Sequence, residues 1–300
     1  MYDIVFEGAR IIDGSGAPAF TANLATLGGR IALIGKEKVR ARTTVDASGM
    51  ILAPGAIDIH AHSEFYALNN PAMEMRLAQG ITSDISGNCG IGVFPVAGNR
   101  RRLEDLATDV LGRSRSWNWD GFSSFASVLG ALPPAINMGF LQAHSPLRVA
   151  AMGDDTDREA SAQEIEHMCW LLDESLSAGC FGFSTGLYYQ PCTSASSGEL
   201  EALASVAARR GRLMCVHMRS EGDDIVPSLE EVLNIALKTG VRLEVSHLKI
   251  IGRRNQDRLC RILELLHGFH DRGADVAFDA YPYNYGSTSL FSLLPPCVDP

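Results

Sequence analysis

The sequence predicts an α/β protein in which a barrel of parallel strands follows a small β unit. Three observations support this prediction. The first fifty residues contain short strand patterns separated by glycine turns. From Ile51 onward, short apolar runs alternate with stretches of helical spacing, which is the rhythm of a parallel sheet. These runs end in polar residues, and parallel barrels gather their reactive groups at such strand ends.

The small β unit is predicted from strand-like segments over residues 3–12, 24–27 and 30–34. The turns between them contain Gly14-Ser15-Gly16 and Gly28-Gly29. A dinucleotide-binding glycine loop would be followed by a helix, whereas the first of these turns is followed by another strand pattern. We therefore interpret both segments as turns.

The barrel is predicted from seven apolar segments that end in polar residues. They cover residues 57–62, 81–86, 135–144, 180–184, 212–217, 241–247 and 274–281. Helical patterns separate most of them, with clear examples over residues 157–178 and 199–210. Asp157 or Ser161 is expected to cap the first of these helices.

The composition excludes several function classes. The 35 acidic and 26 basic residues give a formal charge of -9. A chain with this charge has no overall positive potential to attract the phosphates of nucleic acid. No apolar run approaches the roughly 20 residues of a membrane span, and the first residues lack a secretory pattern. The seven cysteines, an odd number, fit a reducing compartment better than a disulfide framework. We expect a cytoplasmic protein without nucleic-acid or membrane partners, and we leave its oligomeric state open.

Four histidines at strand ends are the main chemical signal. In the segment 57–62 the residues alternate, so Asp58, His60 and His62 are expected on one face of a strand. His217 and His247 also end apolar strand patterns. Two histidines such as His60 and His62, taken alone, could equally be polar residues at a strand end that faces water. Four histidines at equivalent strand ends indicate a metal centre instead.

A cysteine in a glycine-rich turn is a further candidate ligand. Cys89 follows the second barrel strand within Gly87-Asn88-Cys89-Gly90. The alternative is an inert buried cysteine, which is a common situation for this residue type. Beside four histidines a thiolate ligand becomes plausible, because zinc binds imidazole and thiolate at about 2.0–2.3 Å.

Other patterns are weaker. Gly182-Phe183-Ser184-Thr185-Gly186 matches the nucleophile turn of serine hydrolases, but that turn requires a following helix and residues 187–191 are a poor helix start. His267 and His270 fit the carboxyl end of a helix, where they complement the helix dipole. His144 ends the third strand, and we leave its role open.

The residues above identify the chain as similar to a known family. It resembles the amidohydrolase superfamily, and within it the D-aminoacylase branch, the N-acyl-D-amino-acid deacylases. The matching motifs span the chain: Gly8-Ala9-Arg10-Ile11-Ile12-Asp13-Gly14, residues 53–62, Gly87-Asn88-Cys89-Gly90, Ser184-Thr185-Gly186-Leu187, His217-Met218-Arg219-Ser220-Glu221, Ser246-His247-Leu248-Lys249 and Tyr281-Pro282-Tyr283.

The resemblance implies a fold and a metal site. In that family a deformed eight-stranded α/β barrel carries a small β-sandwich built from both chain ends. Cys89 matches a cysteine that holds zinc where many relatives use a carbamylated lysine. His217 and His247 match the histidines that share this tightly bound zinc, and His60 and His62 match the pair lining a second, weaker metal position.

The resemblance also implies the reaction, hydrolysis of the amide of an N-acyl-D-amino acid to a carboxylate and a D-amino acid. Lys249 and Tyr281 match residues that hold the substrate carboxylate. The general base of the family is an aspartate on the eighth strand, which is expected beyond Pro300. Asp279 is not a substitute, because it belongs to the pattern of the seventh strand.

The expected organisation follows from this comparison. Residues 1–52 are the N-terminal part of the β domain, 53–285 an incomplete barrel with seven of eight strands, and 286–300 the start of an insertion. A barrel without its last strand exposes unpaired edges, so we expect the 300-residue chain alone to be poorly folded or inactive. The alternatives are another amidohydrolase, such as a cyclic amidase of the hydantoinase or dihydroorotase type, and an inactive zinc-binding fragment.

Overall fold

A computed structural model describes residues 1–114, 117–289 and 292. The chain separates into two compact units, residues 1–56 and the chain from Ile57 onward. The domain limits expected from the sequence, 1–52, 53–285 and 286–300, stay predictions. Most of the last segment lies outside the described residues.

The first unit is a β-sheet of five strands. They are β1 (Tyr2–Ile11), β2 (Phe20–Leu27), β3 (Arg30–Gly35), β4 (Ala41–Asp46) and β5 (Ile51–Leu52). The strand order is β3-β2-β1-β4, and β5 also pairs with β1. Strands β1 to β3 correspond to the predicted segments. The sequence did not reveal β4, because Arg42, Thr43 and Thr44 interrupt its apolar pattern and are exposed.

The second unit is built on a seven-stranded sheet. Its strands are β6 (Ala56–Asp58), β7 (Ile81–Ser86), β8 (Asn137–Ala143), β9 (Gly182–Gly186), β10 (Leu213–His217), β11 (Arg242–Val245) and β12 (Val276–Phe278). They lie side by side in chain order. Every pair from β7 to β12 is parallel. This arrangement confirms the predicted α/β barrel class with seven strands in this chain.

Helices connect the strands and cover the sheet. They are α1 (Glu64–Asn69), α2 (Glu74–Leu77), α3 (Arg100–Leu111), α4 (Phe122–Ala131), α5 (His144–Met152), α6 (Ala162–Ser177), α7 (Ser197–Arg209), α8 (Ile225–Thr239) and α9 (Leu259–Asp271). Apolar residues of α6, α7, α8 and α9 join those of the strands in one core. No helix among the described residues is both long and apolar enough to cross a bilayer.

Ser161 rather than Asp157 caps α6. Its hydroxyl accepts a hydrogen bond from the Glu164 N–H at 3.4 Å, and the Glu164 carboxylate accepts one from the Ser161 N–H at 2.7 Å. This reciprocal pair satisfies two backbone donors that a helix start leaves unpaired.

The first barrel strand is shorter than predicted. Strand β6 ends at Asp58, so the expectation of a strand through His62 is wrong. The Asp58 carboxylate accepts a hydrogen bond from the His60 N–H at 3.1 Å, and this local bond replaces strand pairing. Arg76 donates to the other Asp58 oxygen at 2.6 Å and fixes the bend.

Candidate metal centre

A cavity of about 1280 Å³ lies in the second unit at the carboxyl ends of its strands. It contains all the site residues that the sequence predicted: His60, His62, Cys89, His217, His247, Lys249 and Tyr281. These residues come from widely separated parts of the chain, so the fold alone brings them together.

Cys89 lies in a tight turn after β7. Its φ is 55°, in the left-handed region, between Gly87 at 89° and Gly90 at 69°. A Cβ at Gly87 would clash with the carbonyl oxygen of Leu141, so the turn requires glycine there. The Cys89 side chain is buried and faces the cavity.

The thiol is surrounded by imidazoles. His60 Nε2 lies 3.3 Å and His247 Nε2 3.4 Å from Cys89 Sγ. Two groups place their ligand atoms within 4.8 Å of one another, namely His60, His62 and Cys89, and Cys89, His217 and His247. Cys89 is common to both groups.

This donor set fits zinc. Ligands of a tetrahedral zinc, bound at about 2.0–2.3 Å, lie roughly 3.5 Å from one another. Among the described residues, the buried Nδ1 atoms of His62 and His217 lack a hydrogen-bond partner. Buried polar atoms are normally satisfied, so such atoms beside a thiol are consistent with a cation that the imidazoles would bind.

The electrostatics favour a thiolate. Burial opposes charge on Cys89, but hydrogen bonds from His217, His247 and His60 hold the pKa of the thiol well below its ordinary value. Burial likewise lowers the pKa of His60, yet Asp279 and Cys89 raise it to about 10. Because metal ligands must be deprotonated, zinc binding to this cluster would release protons.

Two carboxylates orient the imidazoles from behind. Asp279 Oδ2 lies 2.8 Å from His60 Nδ1, and Glu221 Oε1 lies 2.8 Å from His247 Nδ1. Such partners fix the ring orientation of metal-binding histidines and raise their basicity. The second oxygen of Asp279 accepts a hydrogen bond from the His247 N–H at 2.5 Å. Both oxygens of Asp279 are thus engaged in hydrogen bonds.

Sequence reasoning did not assign Glu221 or Asp279 to the metal site. Glu221 is four residues after His217 and only that spacing could have drawn attention to it. Asp279 is 219 residues from His60, and no local pattern reveals such a contact.

Lys249 and Tyr281 lie beside each other at the cavity wall. The Lys249 ammonium is 2.5 Å from Glu221 Oε2 and 5.7 Å from the centre of the Tyr281 ring. Elsewhere in the lining, Tyr189 meets the His217 ring edge-on at a centroid distance of 4.7 Å, and Tyr188 stacks on it at 5.9 Å. The two tyrosines form an aromatic wall that the sequence analysis did not predict.

The remaining patterns belong elsewhere. His144 is fully buried, begins α5, and bonds Thr185 at 2.9 Å and Glu199 at 2.8 Å. Ser184 is also fully buried, and turns rather than a helix follow it. The serine-nucleophile interpretation therefore has neither an exposed hydroxyl nor the required helix.

Known proteins are similar to this chain in sequence. A model described as "Amidohydrolase family" matches residues 43–254. The chain belongs to the amidohydrolase family. Its resemblance to the D-aminoacylase branch is confirmed by 37% identity over 290 residues with a D-aminoacylase of Alcaligenes xylosoxydans xylosoxydans, covering 96% of this chain and 59% of that protein.

Solved structures are similar to this chain in fold. The N-acyl-D-glutamate deacylase of Bordetella bronchiseptica, determined with zinc and a phosphonate inhibitor, superposes with a TM-score of 0.87 at 38% identity, covering 94% of this chain and 59% of that one. An L-hydantoinase of Arthrobacter aurescens gives 0.59 at 15% identity over 94% and 59% of the two chains, a likeness of fold alone. The chain thus spans about 59% of the length of these relatives.

Proposed function

We propose that the protein is a zinc-dependent N-acyl-D-amino-acid deacylase, which hydrolyses the substrate amide to a carboxylate and a free D-amino acid. The observation that carries this proposal is one buried thiol within 3.4 Å of two imidazoles. It lies in a chain that resembles D-aminoacylase over 96% of its length.

The residues divide between two metal positions. Cys89, His217 and His247 would hold a tightly bound zinc, and His60 and His62 would complete a weaker position with the same thiolate. When bound, zinc supplies Lewis acidity that polarises a carbonyl and acidifies water. Asp279 and Glu221 hold His60 and His247 in place for this role.

The cavity wall provides substrate recognition. Lys249 offers a cationic point charge and Tyr281 a phenolic donor, which suit a substrate carboxylate. Tyr188 and Tyr189 pack against the ring of His217. Among the described residues we assign none as the general base.

A cyclic amidase is the second candidate. A hydantoinase resembles this chain in fold. Cyclic amidases are expected to hold a bridging carbamylated lysine on the fourth barrel strand, and strand β9, the fourth here, carries Ser184 and Thr185 and no lysine. We also propose a reducing, cytoplasmic location, which the six free cysteines of the described residues support.

Activity assays on the whole protein test the proposal. We expect zinc-dependent hydrolysis of N-acetyl-D-amino acids, little action on the L forms and none on hydantoins. Cys89→Ala should abolish both zinc binding and activity, whereas Cys260→Ala removes an exposed thiol and should change neither. Turnover of hydantoins alone would contradict the deacylase, and retained zinc without turnover of any amide would indicate a non-enzymatic zinc protein.

A further inference from the structure

The Gly182-Phe183-Ser184-Thr185-Gly186 motif has no role in the site described above. It forms strand β9 next to β8 and β10, and all five residues are buried. Ser184 is absent from the cavity wall as the described residues form it, so it does not reach a substrate there. Its hydroxyl nevertheless makes two hydrogen bonds to the turn that carries Cys89.

The Ser184 hydroxyl connects the two ends of this turn. It accepts a hydrogen bond from the Gly90 N–H at 3.1 Å and donates one to the carbonyl oxygen of Gly87. A hydroxyl has one donor and two acceptor positions, so a single side chain can satisfy both groups at once. Alanine at this position would remove the Ser184 partner from the Gly90 N–H and the Gly87 C=O, and both glycines are buried.

The conformation of the turn needs such support. Cys89 has a φ of 55°, which residues other than glycine adopt infrequently. Strand β9 also lies so close to the turn that a Cβ added to Gly90 would be 2.6 Å from the Gly186 nitrogen. The Ser145 N–H donates to the Gly90 carbonyl at 3.0 Å and holds the far side of the turn.

We propose that Ser184 is a positioning residue of the metal centre, whose hydroxyl holds residues 87–90 in the conformation that aims the Cys89 thiol at the histidines. The inference rests on the proposed zinc site. It explains why a buried hydroxyl stands in the middle of β9, in contact with both ends of the ligand turn. Partners of this kind typically change metal affinity by about 10–100-fold when removed.

Cobalt substitution tests the inference without an activity assay. Co²⁺ bound to a thiolate gives a sulfur-to-metal charge-transfer absorption that reports the Cys89 bond directly. In Ser184→Ala of the whole protein we expect about 10–100-fold weaker Co²⁺ affinity and a diminished or shifted absorption. Ser175→Ala is the matched control, since this buried serine donates to Gln142 Oε1 at 2.6 Å, away from the cavity. It should lower Tm but leave the cobalt spectrum and affinity unchanged.

The outcomes separate the inference from the proposed function. A folded Ser184→Ala with wild-type affinity and absorption would overturn the positioning role while leaving the zinc site intact. Absence of the thiolate absorption in the wild type would overturn the zinc site itself, and the inference with it. Ser184→Thr keeps the hydroxyl and covers the case in which Ser184→Ala does not fold. We expect its absorption to match the wild type, and loss of that absorption in a folded protein would contradict the inference.

Discussion

Removal of the Glu221 carboxylate should weaken zinc binding more than removal of any exposed acid. Glu221 is buried, contacts His247 Nδ1 at 2.8 Å and the Lys249 ammonium at 2.5 Å, and lies 4.0 Å from His217 Nε2. Burial raises its pKa, but the hydrogen bond from His247 and the nearby cations keep it below the ordinary value, so the group is ionised.

The magnitude follows from these contacts. Loss of an outer partner of a metal-binding histidine costs about 10–100-fold in metal affinity, roughly 1.4–2.7 kcal/mol. Glu221→Ala should fall at the upper end of that range. The Glu221→Ala change also removes the carboxylate that neutralises the Lys249 ammonium. That ammonium lies 3.0 Å from His247 Nδ1, so its uncompensated charge would oppose a zinc ion bound by His247. Glu221→Gln keeps a hydrogen-bond acceptor for His247 and should fall at the lower end.

Competition with a chelator of known affinity measures both variants. Glu201→Ala is the control, because Glu201 pairs with the exposed Lys238 on the helical surface and should leave zinc affinity unchanged. A Glu221→Ala protein that binds zinc within threefold of the wild type would refute the reasoning, since the carboxylate would then have no part in the metal centre.

Three further predictions concern the second unit. Glu199→Ala should lower the free energy of unfolding of this unit by about 3–5 kcal/mol in urea, because the fully buried Arg148 guanidinium loses a carboxylate 2.5 Å away. A loss below about 1 kcal/mol would contradict this prediction. Burial lowers the pKa of His144, but Cys192 and Glu199 raise it to about 9 from 6.5, so its contribution to stability should be complete below pH 6.5 and lost as the pH rises through 9. His144→Gln should remove that part of the pH dependence, and an unchanged profile would argue against the assignment. Gly186→Ala places a Cβ against the Cys89 carbonyl, so it should lower the free energy of unfolding by about 1–3 kcal/mol and reduce the amount of bound zinc. A zinc content equal to that of the wild type would contradict this prediction.

Local sequence patterns predicted the strands that matter most for the site. The prediction over residues 81–86 agrees with β7, and His217 is the last residue of β10 as expected. The apolar run of β10 is continuous and ends in the polar His217, so burial and strand limits coincide there, whereas polar residues interrupt β7. These strands place Cys89 and His217 at the same edge of the sheet.

The differences arise where long-range or side-chain contacts decide the structure. The segment 57–62 alternates like a strand, but the bonds of Asp58 to His60 and Arg76 end β6 early. The bond between Asp279 and His60 joins residues 219 apart, and the pattern of β12 alone could not predict it. Ser184 was considered as a nucleophile because its motif is local, whereas its hydrogen bonds to Gly87 and Gly90 depend on strand pairing. The metal-ligand and substrate-binding roles stay predictions.

X-ray absorption at the zinc edge tests the central claim most directly. The account predicts one sulfur ligand at about 2.3 Å together with at least two imidazole nitrogens at about 2.0–2.1 Å in the zinc-loaded protein. In Cys89→Ser the sulfur contribution should vanish. A zinc bound only by oxygen and nitrogen in the wild type, or a sulfur signal that persists in Cys89→Ser, would contradict the assignment of Cys89 as the shared ligand.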